Sequence, residues 1–270
     1  MAYQYSSPIT VRVFDDVKQV GVCTADRLCD RVRGKPDSFL GMATGSTPKV
    51  TGFWEELRRR VKNDGLDLSE ATFVNPDEWI GLTSGHSEAY RTYLEKELSN
   101  CFETNVLVPD GNAEDPIAAS VEVERKILNG GGFQFMLLGM GINGHIGFFE
   151  PNADGLPSGP FLPEIDLVNR QRYAKDHFGS IEKVPTHATT IGLGMVMRAK
   201  EMVLCVVGDK KSELLARAIQ GPVTTSLPAS LIQLGGDVKI FVDSDAAKHL
   251  DLQALALRPG WAVVDDRKKK

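Results

Sequence analysis

Three short segments of the chain hold residue types that could carry out acid–base chemistry or bind an anion. The most informative one contains His145 between Gly144 and Gly147, with Glu150 five residues later. A carboxylate beside an imidazole orients the ring and stabilises its charged form, so the pair is typical of proton transfer. A lone histidine is more often a structural core residue, but flanking glycines after a strong strand pattern favour a functional loop.

Two adjacent carboxylates, Asp77 and Glu78, come just after another strand pattern. Either of them could act as a general acid or base. Neighbouring residues in an extended segment point to opposite sides, so we expect only one of the two to face a substrate. The structural alternative for this segment is a helix cap together with a surface charge.

The segment Thr44-Gly45-Ser46-Thr47-Pro48 combines a glycine with hydroxyl groups at the predicted start of a helix. Free N–H groups and a partial positive charge at a helix start suit a phosphate dianion. The segment is not a Walker loop and does not match Gly-x-Gly-x-x-Gly. A capped helix start without a ligand is the structural alternative.

The residue pattern gives little support to other chemistries. The remaining histidines lack the spacing of metal ligands, so we predict no metal site; they are His86, His177, His187 and His249. No Gly-x-Ser-x-Gly motif indicates a serine hydrolase. The four cysteines show neither CxxC nor paired spacing, and we interpret them as buried apolar residues in a reducing compartment.

Charge and hydropathy argue against several classes of partner. The net charge of −5 gives no electrostatic reason to bind nucleic acid, because affinity for a phosphate backbone needs clustered Lys and Arg. We interpret the basic run at residues 267–270 as a solvated tail. No apolar run approaches the roughly 18 residues of a membrane span, and the N-terminus lacks the pattern of a signal peptide. We therefore predict a cytoplasmic protein without a membrane partner.

Strand and helix patterns alternate along the chain, and these elements must position the three segments. Strands are predicted over residues 9–14, 38–43, 71–74, 105–108, 133–138, 202–207 and 238–242, the last being the final strand. Helices are predicted over residues 15–33, 48–61, 87–98, 115–128 and 211–220, with a helix end at 230–234. This order predicts an α/β fold with a mainly parallel central sheet and helices on both faces. Ligands of such sheets bind beyond the carboxyl ends of the strands.

Residues 149–183 show no clear period and contain four prolines. We interpret this stretch mostly as a long functional loop or lid, because structureless stretches of that length are uncommon in compact domains. No linker or internal repeat divides the chain, so residues 1–270 are predicted to form a single domain.

Four motifs together resemble those of the glucosamine-6-phosphate deaminase (isomerase) family. They are residues 44–48, 75–82, 141–151 and 207–211, and the third, Gly-x-Asn-Gly-His-Ile-x-Phe-x-Glu-Pro, is highly specific. Its glutamate, Glu150, distinguishes the chain from the related 6-phosphogluconolactonases. The resemblance implies a Rossmann-like three-layer fold, a sugar phosphate as substrate and no cofactor.

The activity that the resemblance implies is conversion of a 2-amino-2-deoxyhexose 6-phosphate into a ketose 6-phosphate and ammonia through an enolamine. Asp77 would move a proton between C2 and C1, and His145 would assist ring opening with support from Glu150 and Asn143. The matching residues that would bind the phosphate are Thr44, Gly45, Ser46, Thr47 and Lys211, and those that would contact the sugar are Glu78, Gly141 and Gly144.

The sequence also departs from the family pattern. Asn143 stands where several family members carry an aspartate, which keeps a hydrogen bond but not the charge. Residues 152–163 contain no Lys or Arg, so we predict that the activator site of regulated bacterial deaminases is absent. The phosphate-binding arginine is not where the family pattern has it. Counting back from Pro185 gives Lys175, which we predict to bind the phosphate, with Arg172 as the alternative.

The sequence leaves the sugar epimer and the oligomeric state open. Galactosamine 6-phosphate, giving tagatose 6-phosphate, is an alternative to glucosamine 6-phosphate, which would give fructose 6-phosphate. A 6-phosphogluconolactonase-type hydrolase and a non-catalytic sugar-phosphate sensor are the other functional alternatives. Relatives occur as monomers and as larger assemblies, so both a monomer and a homo-oligomer fit the pattern.

Overall fold

The computed structural model describes residues 9–83, 85–99 and 105–267. Three predictions fall outside these residues. They concern the lack of a signal peptide at residues 1–8, the buried state of Cys101 and the solvated tail at residues 268–270. None of the helices within the described ranges is long and apolar enough to cross a membrane.

Ten strands form within the described part of the chain. They are β1 (Ile9–Phe14), β2 (Phe39–Met42), β3 (Thr72–Val74), β4 (Asp77–Trp79), β5 (Asn105–Leu107), β6 (Phe133–Gly139), β7 (Ala188–Thr190), β8 (Met202–Val206), β9 (Val238–Asp243) and β10 (Trp261–Asp265). Eight of them pair in parallel in the order β10-β1-β9-β8-β6-β2-β3-β5. The other two, β4 and β7, pair antiparallel in a separate sheet. The parallel main sheet confirms the predicted α/β class.

The α-helices of the described residues connect these strands. They are α1 (Val17–Gly34), α2 (Ser46–Val50), α3 (Phe53–Asp64), α4 (Tyr90–Leu98), α5 (Pro116–Asn129), α6 (Leu167–Tyr173), α7 (Leu193–Met197), α8 (Ser212–Gln220) and α9 (Leu252–Leu257). Asp16 caps α1 by accepting a hydrogen bond from the Lys18 N–H at 2.9 Å, as one of the two predicted caps. A 3₁₀ helix, Pro228–Leu234, covers the predicted helix end.

Alternate residues of β6 pack into different apolar clusters. Met136 and Leu138 join the cluster that includes residues of α5 and α8, whereas Phe135 and Leu137 join the one that includes residues of α1 and α3. Successive side chains of a strand point to opposite faces, so the main sheet is covered on both sides. Residues 133–138, which are apolar except for Gln134, predict such a strand, and this prediction is confirmed.

The helix predicted over residues 48–61 is two helices, α2 and α3. They are separated at Thr51 and Gly52, where Gly52 has a φ of 72°, a left-handed conformation that glycine adopts without steric strain. The first of the two begins at Ser46 rather than at Pro48. The earlier start places Ser46 and Thr47 in the first turn of α2.

The stretch over residues 149–183 is more ordered than predicted. It contains α6, a π-helical turn at Ala174–Phe178 and a 3₁₀ turn at Ile181–Lys183. The helix is hard to predict because Leu167 and Val168 are 58% and 60% exposed while the polar Asn169 is 2% exposed. Its apolar residues therefore do not mark its buried face, which is the signal that periodicity depends on.

Three strands escape prediction. Two of them, β4 (Asp-Glu-Trp) and β7 (Ala-Thr-Thr), contain neither an apolar run nor an alternation of apolar and polar residues. The third, β10, follows the strand predicted to be the last and pairs with β1, with Trp261 opposite Ile9. The main sheet consequently extends one strand further than the sequence indicates.

Gly21 lies in α1 at the point where the backbone of Thr51 crosses the helix. A Cβ atom added at Gly21 would lie 2.2 Å from the Thr51 carbonyl oxygen. We expect Gly21→Ala to lower the free energy of unfolding by about 1–3 kcal/mol, because the backbone at Thr51 must move. Urea unfolding measures this change. The control is Gly34→Ala, whose added Cβ meets no atom within 4 Å, and an equal effect of both variants would contradict the prediction.

Candidate active site

A cavity of about 330 Å³ lies at the carboxyl edge of the main sheet. The segments that follow β2, β3, β6 and β8 meet there, as expected for parallel strands. The predicted site residues that line this cavity are Thr44, Gly45, Ser46, Thr47, Asp77, Gly141, His145 and Lys211. The fold therefore brings the segments singled out in the sequence to one place.

Two cationic side chains, Lys211 and Arg172, line the same cavity as the hydroxyl groups of residues 44–47. Burial lowers the pKa of the Lys211 ammonium to about 8, and the positive charge of Arg172 acts in the same direction. An anion bound in the cavity would favour the charged form of Lys211 and reduce the repulsion between the two cations. This part of the cavity is thus suited to a phosphate group.

Lys175, predicted to bind the phosphate, does not line the cavity. Lys175 is exposed in the π-helical turn that follows α6, whereas Arg172 lies at the cavity. Residue counting without gaps selects Lys175 because it assumes a fixed spacing between this helix and Pro185. Arg172, which the sequence analysis gave as the alternative, is the cation that α6 brings to the cavity.

Asp77 is a buried carboxyl group in β4, opposite Thr190 of β7. It is 5% exposed, and its Oδ1 has no hydrogen-bond partner among the described residues. Burial raises its pKa to about 7, although hydrogen bonding to Thr190 and the charge of His145 oppose the shift. A general base is most effective when its pKa is near the working pH, so Asp77 is suited to proton transfer at neutral pH.

Glu78 does not line the cavity, so its predicted contact with the substrate is not supported. Its carboxylate accepts hydrogen bonds from the backbone N–H groups of Trp79 at 2.9 Å, and of Tyr90 and Arg91 at 3.0 Å each. The last two belong to the first turn of α4, so Glu78 stabilises the start of that helix. The expectation that only one of the two adjacent carboxylates faces the cavity is met by Asp77.

His145 and Glu150 form the pair that the sequence predicts. His145 Nδ1 lies 3.5 Å from Glu150 Oε1. Asn143 connects both, since its Nδ2 donates to Glu150 Oε2 at 2.7 Å and its Oδ1 accepts from the His145 N–H at 3.2 Å. Burial disfavours charge on Glu150, but hydrogen bonds from His145 and Asn143 outweigh it and hold the pKa of Glu150 below its usual value. Glu150 is therefore an ionised partner for the imidazole.

Two glycines of the His145 loop, Gly141 and Gly144, lie where a larger residue would clash with its neighbours. A Cβ added at Gly141 would lie 2.2 Å from the His145 ring, so the ring packs directly against this residue. Gly144 has a φ of 89°, and its added Cβ would meet Leu227 at 2.2 Å. Gly141 does line the cavity, whereas Gly144 does not, so its predicted contact with the sugar is not supported.

Asp166 and Asn169 belong to the site but were missed in the sequence. Asn169 Nδ2 donates to Glu150 Oε1 at 2.8 Å, and Asp166 accepts from Asn143 at 3.0 Å. Both residues, like Arg172, are presented by α6 and its cap, at intervals of three residues that place them on one helix face. The spacing Asp-x-x-Asn-x-x-Arg is the sequence signal that could have revealed them.

Within the described ranges no group of three or more His, Cys, Asp or Glu side chains could hold a metal ion.

The fold and the cavity define a class of protein before any relative is considered. It is a Rossmann-like α/β protein in which acid–base residues and cationic side chains share one cavity at the carboxyl edge of a parallel sheet. Residues 17–241 match the sequence model of the family described as glucosamine-6-phosphate isomerases/6-phosphogluconolactonase. The chain belongs to this family, which confirms the resemblance indicated by the four motifs.

Individual relatives agree with this membership. The chain is 36% identical over 248 residues to a glucosamine-6-phosphate deaminase of Clostridium botulinum (strain Kyoto / Type A2), covering 89% of this chain and 98% of the relative. A glucosamine-6-phosphate deaminase of Clostridium perfringens (strain 13 / Type A) is 35% identical over 245 residues, covering 90% and 98%.

Solved structures give the same fold. One described as a monomeric glucosamine-6-phosphate deaminase of the NagB superfamily has a TM-score of 0.83 and 30% identity, covering 89% of this chain and 99% of that chain. The 6-phosphogluconolactonase from Leishmania guyanensis has a TM-score of 0.69 at 19% identity, covering 90% and 98%, and supports the likeness of fold alone.

Asp77→Asn is expected to stabilise the protein at neutral pH. The folded Asp77 carboxyl, with its pKa raised to about 7, binds a proton more tightly than the unfolded one, whose pKa is near 4. Its destabilising effect is therefore absent in acid, grows as the pH rises from about 4 to about 7, and is constant above. At about pH 8 the variant should exceed the wild type by up to about 4 kcal/mol in free energy of unfolding.

Urea unfolding of the wild type and Asp77→Asn at about pH 5 and about pH 8 checks this expectation. The stability difference between the two proteins should be larger at the higher pH. A difference that stays the same at both pH values would contradict the raised pKa of Asp77.

Proposed function

We propose that the chain isomerises and deaminates glucosamine 6-phosphate to fructose 6-phosphate and ammonia. The observation that carries the proposal is the position of the buried Asp77 carboxyl, whose Oδ1 has no hydrogen-bond partner among the described residues, in one cavity with His145, Lys211 and Arg172. Membership of the family and its similarity to glucosamine-6-phosphate deaminases support the same activity. Asp77, His145 and Glu150 are the proposed catalytic residues.

The first step is opening of the sugar ring. His145 moves a proton from the hydroxyl group on C1 to the ring oxygen, while Glu150, 3.5 Å from Nδ1, stabilises the charged imidazole. Asn143 keeps the loop and the Glu150 carboxylate in place through its two hydrogen bonds. The products of this step are an open chain and a free carbonyl group at C1, which makes the proton on C2 acidic.

The second step is proton transfer between carbon atoms. Asp77 takes the proton from C2 while the substrate's ammonium group gives a proton to the C1 carbonyl oxygen, and the product is an enolamine. Asp77 then returns its proton to C1, which leaves a protonated imine at C2. Burial allows Asp77 to accept a proton near neutral pH and limits exchange of that proton with water. Water then attacks the imine, ammonia leaves and the keto group forms. The proposed sequence uses no cofactor.

The phosphate anchors the substrate away from the reacting carbons. The proposed ligands are the hydroxyl and N–H groups of residues 44–47, together with Lys211 and Arg172. Binding energy at this distant group holds C1 and C2 at the catalytic residues. The stretch over residues 149–183, which carries Arg172, is proposed to act as a lid over the phosphate. Residues 1–270 are proposed to form a single domain.

The protein is proposed to act in the cytoplasm. A sugar phosphate substrate and cysteines without paired spacing fit a cytoplasmic enzyme. The structure with a TM-score of 0.83 belongs to a protein described as monomeric. For this chain, both a monomer and a homo-oligomer stay predictions.

An ammonia assay with the two epimers tests the activity. Glucosamine 6-phosphate and galactosamine 6-phosphate are each mixed with the purified protein, and ammonia is measured. We expect release from glucosamine 6-phosphate, reduced by about 100-fold or more in Asp77→Asn and His145→Gln because each variant lacks a proton-transfer group.

Each other outcome selects an alternative. Release from galactosamine 6-phosphate alone would assign the other epimer. No release from either, with faster hydrolysis of 6-phosphogluconolactone, would assign the lactonase activity. Binding of an amino sugar phosphate without turnover would indicate a sensor.

Arg172→Ala should weaken binding of the phosphate while Lys175→Ala should not. A charge-assisted hydrogen bond contributes about 1.5–3 kcal/mol, so we expect KM to rise by about 10–100-fold in Arg172→Ala. Lys175→Ala, an exposed cation three residues away, is the matched control and should leave KM within about twofold. Steady-state kinetics give both values. A larger effect of Lys175→Ala would contradict the assignment of Arg172.

A further inference from the structure

Asp166 places a second carboxylate beside the His145–Glu150 pair. Its Oδ2 accepts hydrogen bonds from Asn143 Nδ2 at 3.0 Å and from Asn169 Nδ2 at 2.8 Å. The same two amide groups donate to Glu150, at 2.7 Å and 2.8 Å. Two side-chain amides therefore bridge two carboxylates next to the imidazole.

The number of available hydrogens decides how this cluster is connected. Asn169 Nδ2 has two hydrogens but three acceptors within reach, namely Glu150 Oε1 at 2.8 Å, Asp166 Oδ2 at 2.8 Å and His145 Nδ1 at 3.3 Å. The two carboxyl oxygens are closer to Asn169 Nδ2 than the ring nitrogen is, so they take both hydrogens. His145 Nδ1 then receives no hydrogen from Asn169, and Glu150 Oε1, 3.5 Å away, is positioned to accept a proton carried by Nδ1.

We propose that Asp166 is a positioning residue that keeps the proton of neutral His145 on Nδ1 by engaging one hydrogen of Asn169. Nε2 is then the unprotonated ring nitrogen, free to accept a proton from a sugar hydroxyl in the cavity that His145 lines. The role of Asp166 in turnover rests on the proposed function. The location of the proton is a property of the protein alone and can be tested without a substrate.

The placement of Asp166 also connects the histidine with Arg172. Asp166 precedes α6 as its cap, and Asn169 and Arg172 follow on the same face of that helix. One short helix therefore brings both the hydrogen-bond partners of His145 and the cation of the cavity into position.

Asp166→Asn separates the charge of Asp166 from its role as a helix cap. Oδ1 of Asp166 accepts from the Asn169 N–H at 2.8 Å, and asparagine caps helices about as well as aspartate. The amide nitrogen of the variant donates where Oδ2 accepts, which frees one Asn169 hydrogen for His145 Nδ1. Asp251→Asn is the matched control, because Asp251 caps the short helix α9 through the Ala254 N–H at 2.9 Å.

Nitrogen NMR of histidine-labelled protein locates the proton directly. Spectra of ligand-free protein at about pH 8.5, where an ordinary imidazole is neutral, distinguish the two tautomers, and the His145 signals are identified by their loss in His145→Gln. We expect the Nδ1–H form in the wild type and in Asp251→Asn, and a shift towards the Nε2–H form in Asp166→Asn. The Nε2–H form in the wild type, or an unchanged tautomer in Asp166→Asn, would overturn the proposal.

Kinetics on the proposed substrate test the consequence for turnover. We expect kcat of Asp166→Asn to fall about tenfold or more, with KM and unfolding temperature close to those of Asp251→Asn, because a histidine in the wrong tautomer turns over slowly while its site stays folded. A shifted tautomer with unchanged kcat would overturn the role in turnover. A wild type that releases no ammonia would refute the proposed function, while the NMR result would still decide the position of the proton.

Discussion

The parallel pairing of all eight strands in the main sheet decides where the chemistry of this chain can take place. Parallel neighbours cannot be joined by a tight turn, so the chain crosses over after each strand and the carboxyl ends collect at one edge. The segments with Ser46, Asp77 and His145 follow three of those ends. Their separation along the sequence is therefore no obstacle to sharing one cavity.

The small antiparallel sheet of β4 and β7 consists of buried residues and places Asp77 largely out of contact with solvent. Asp77 lies in β4 opposite Thr190 of β7, and Trp79, two residues further, packs its ring against Phe148 and Tyr173. A buried carboxyl with an unsatisfied oxygen destabilises a fold, yet the same burial raises the pKa of Asp77 to about 7. The burial of Asp77 therefore lowers the stability of the fold but makes the carboxyl a better base near neutral pH.

The sequence predicts those parts of the site whose signals are local. His145 and Asp77 each follow a recognisable strand, and their residue types alone suggest proton transfer. The pattern fails at α6, because exposed leucine and valine hide a helix whose buried residue is Asn169. Without a recognisable helix, Asp166 cannot be identified as its cap. Counting from Pro185 then selects Lys175 instead of Arg172, which lines the cavity. Glu78 shows the same limit, since only the fold reveals that its carboxylate caps α4.

Asp166 divides its two oxygens between different tasks, with Oδ1 on the first turn of α6 and Oδ2 on the amides around His145. A helix of seven residues has little stability of its own and depends on such contacts. Loss of this helix would therefore remove Oδ2 from the amides around His145 and Arg172 from the cavity together.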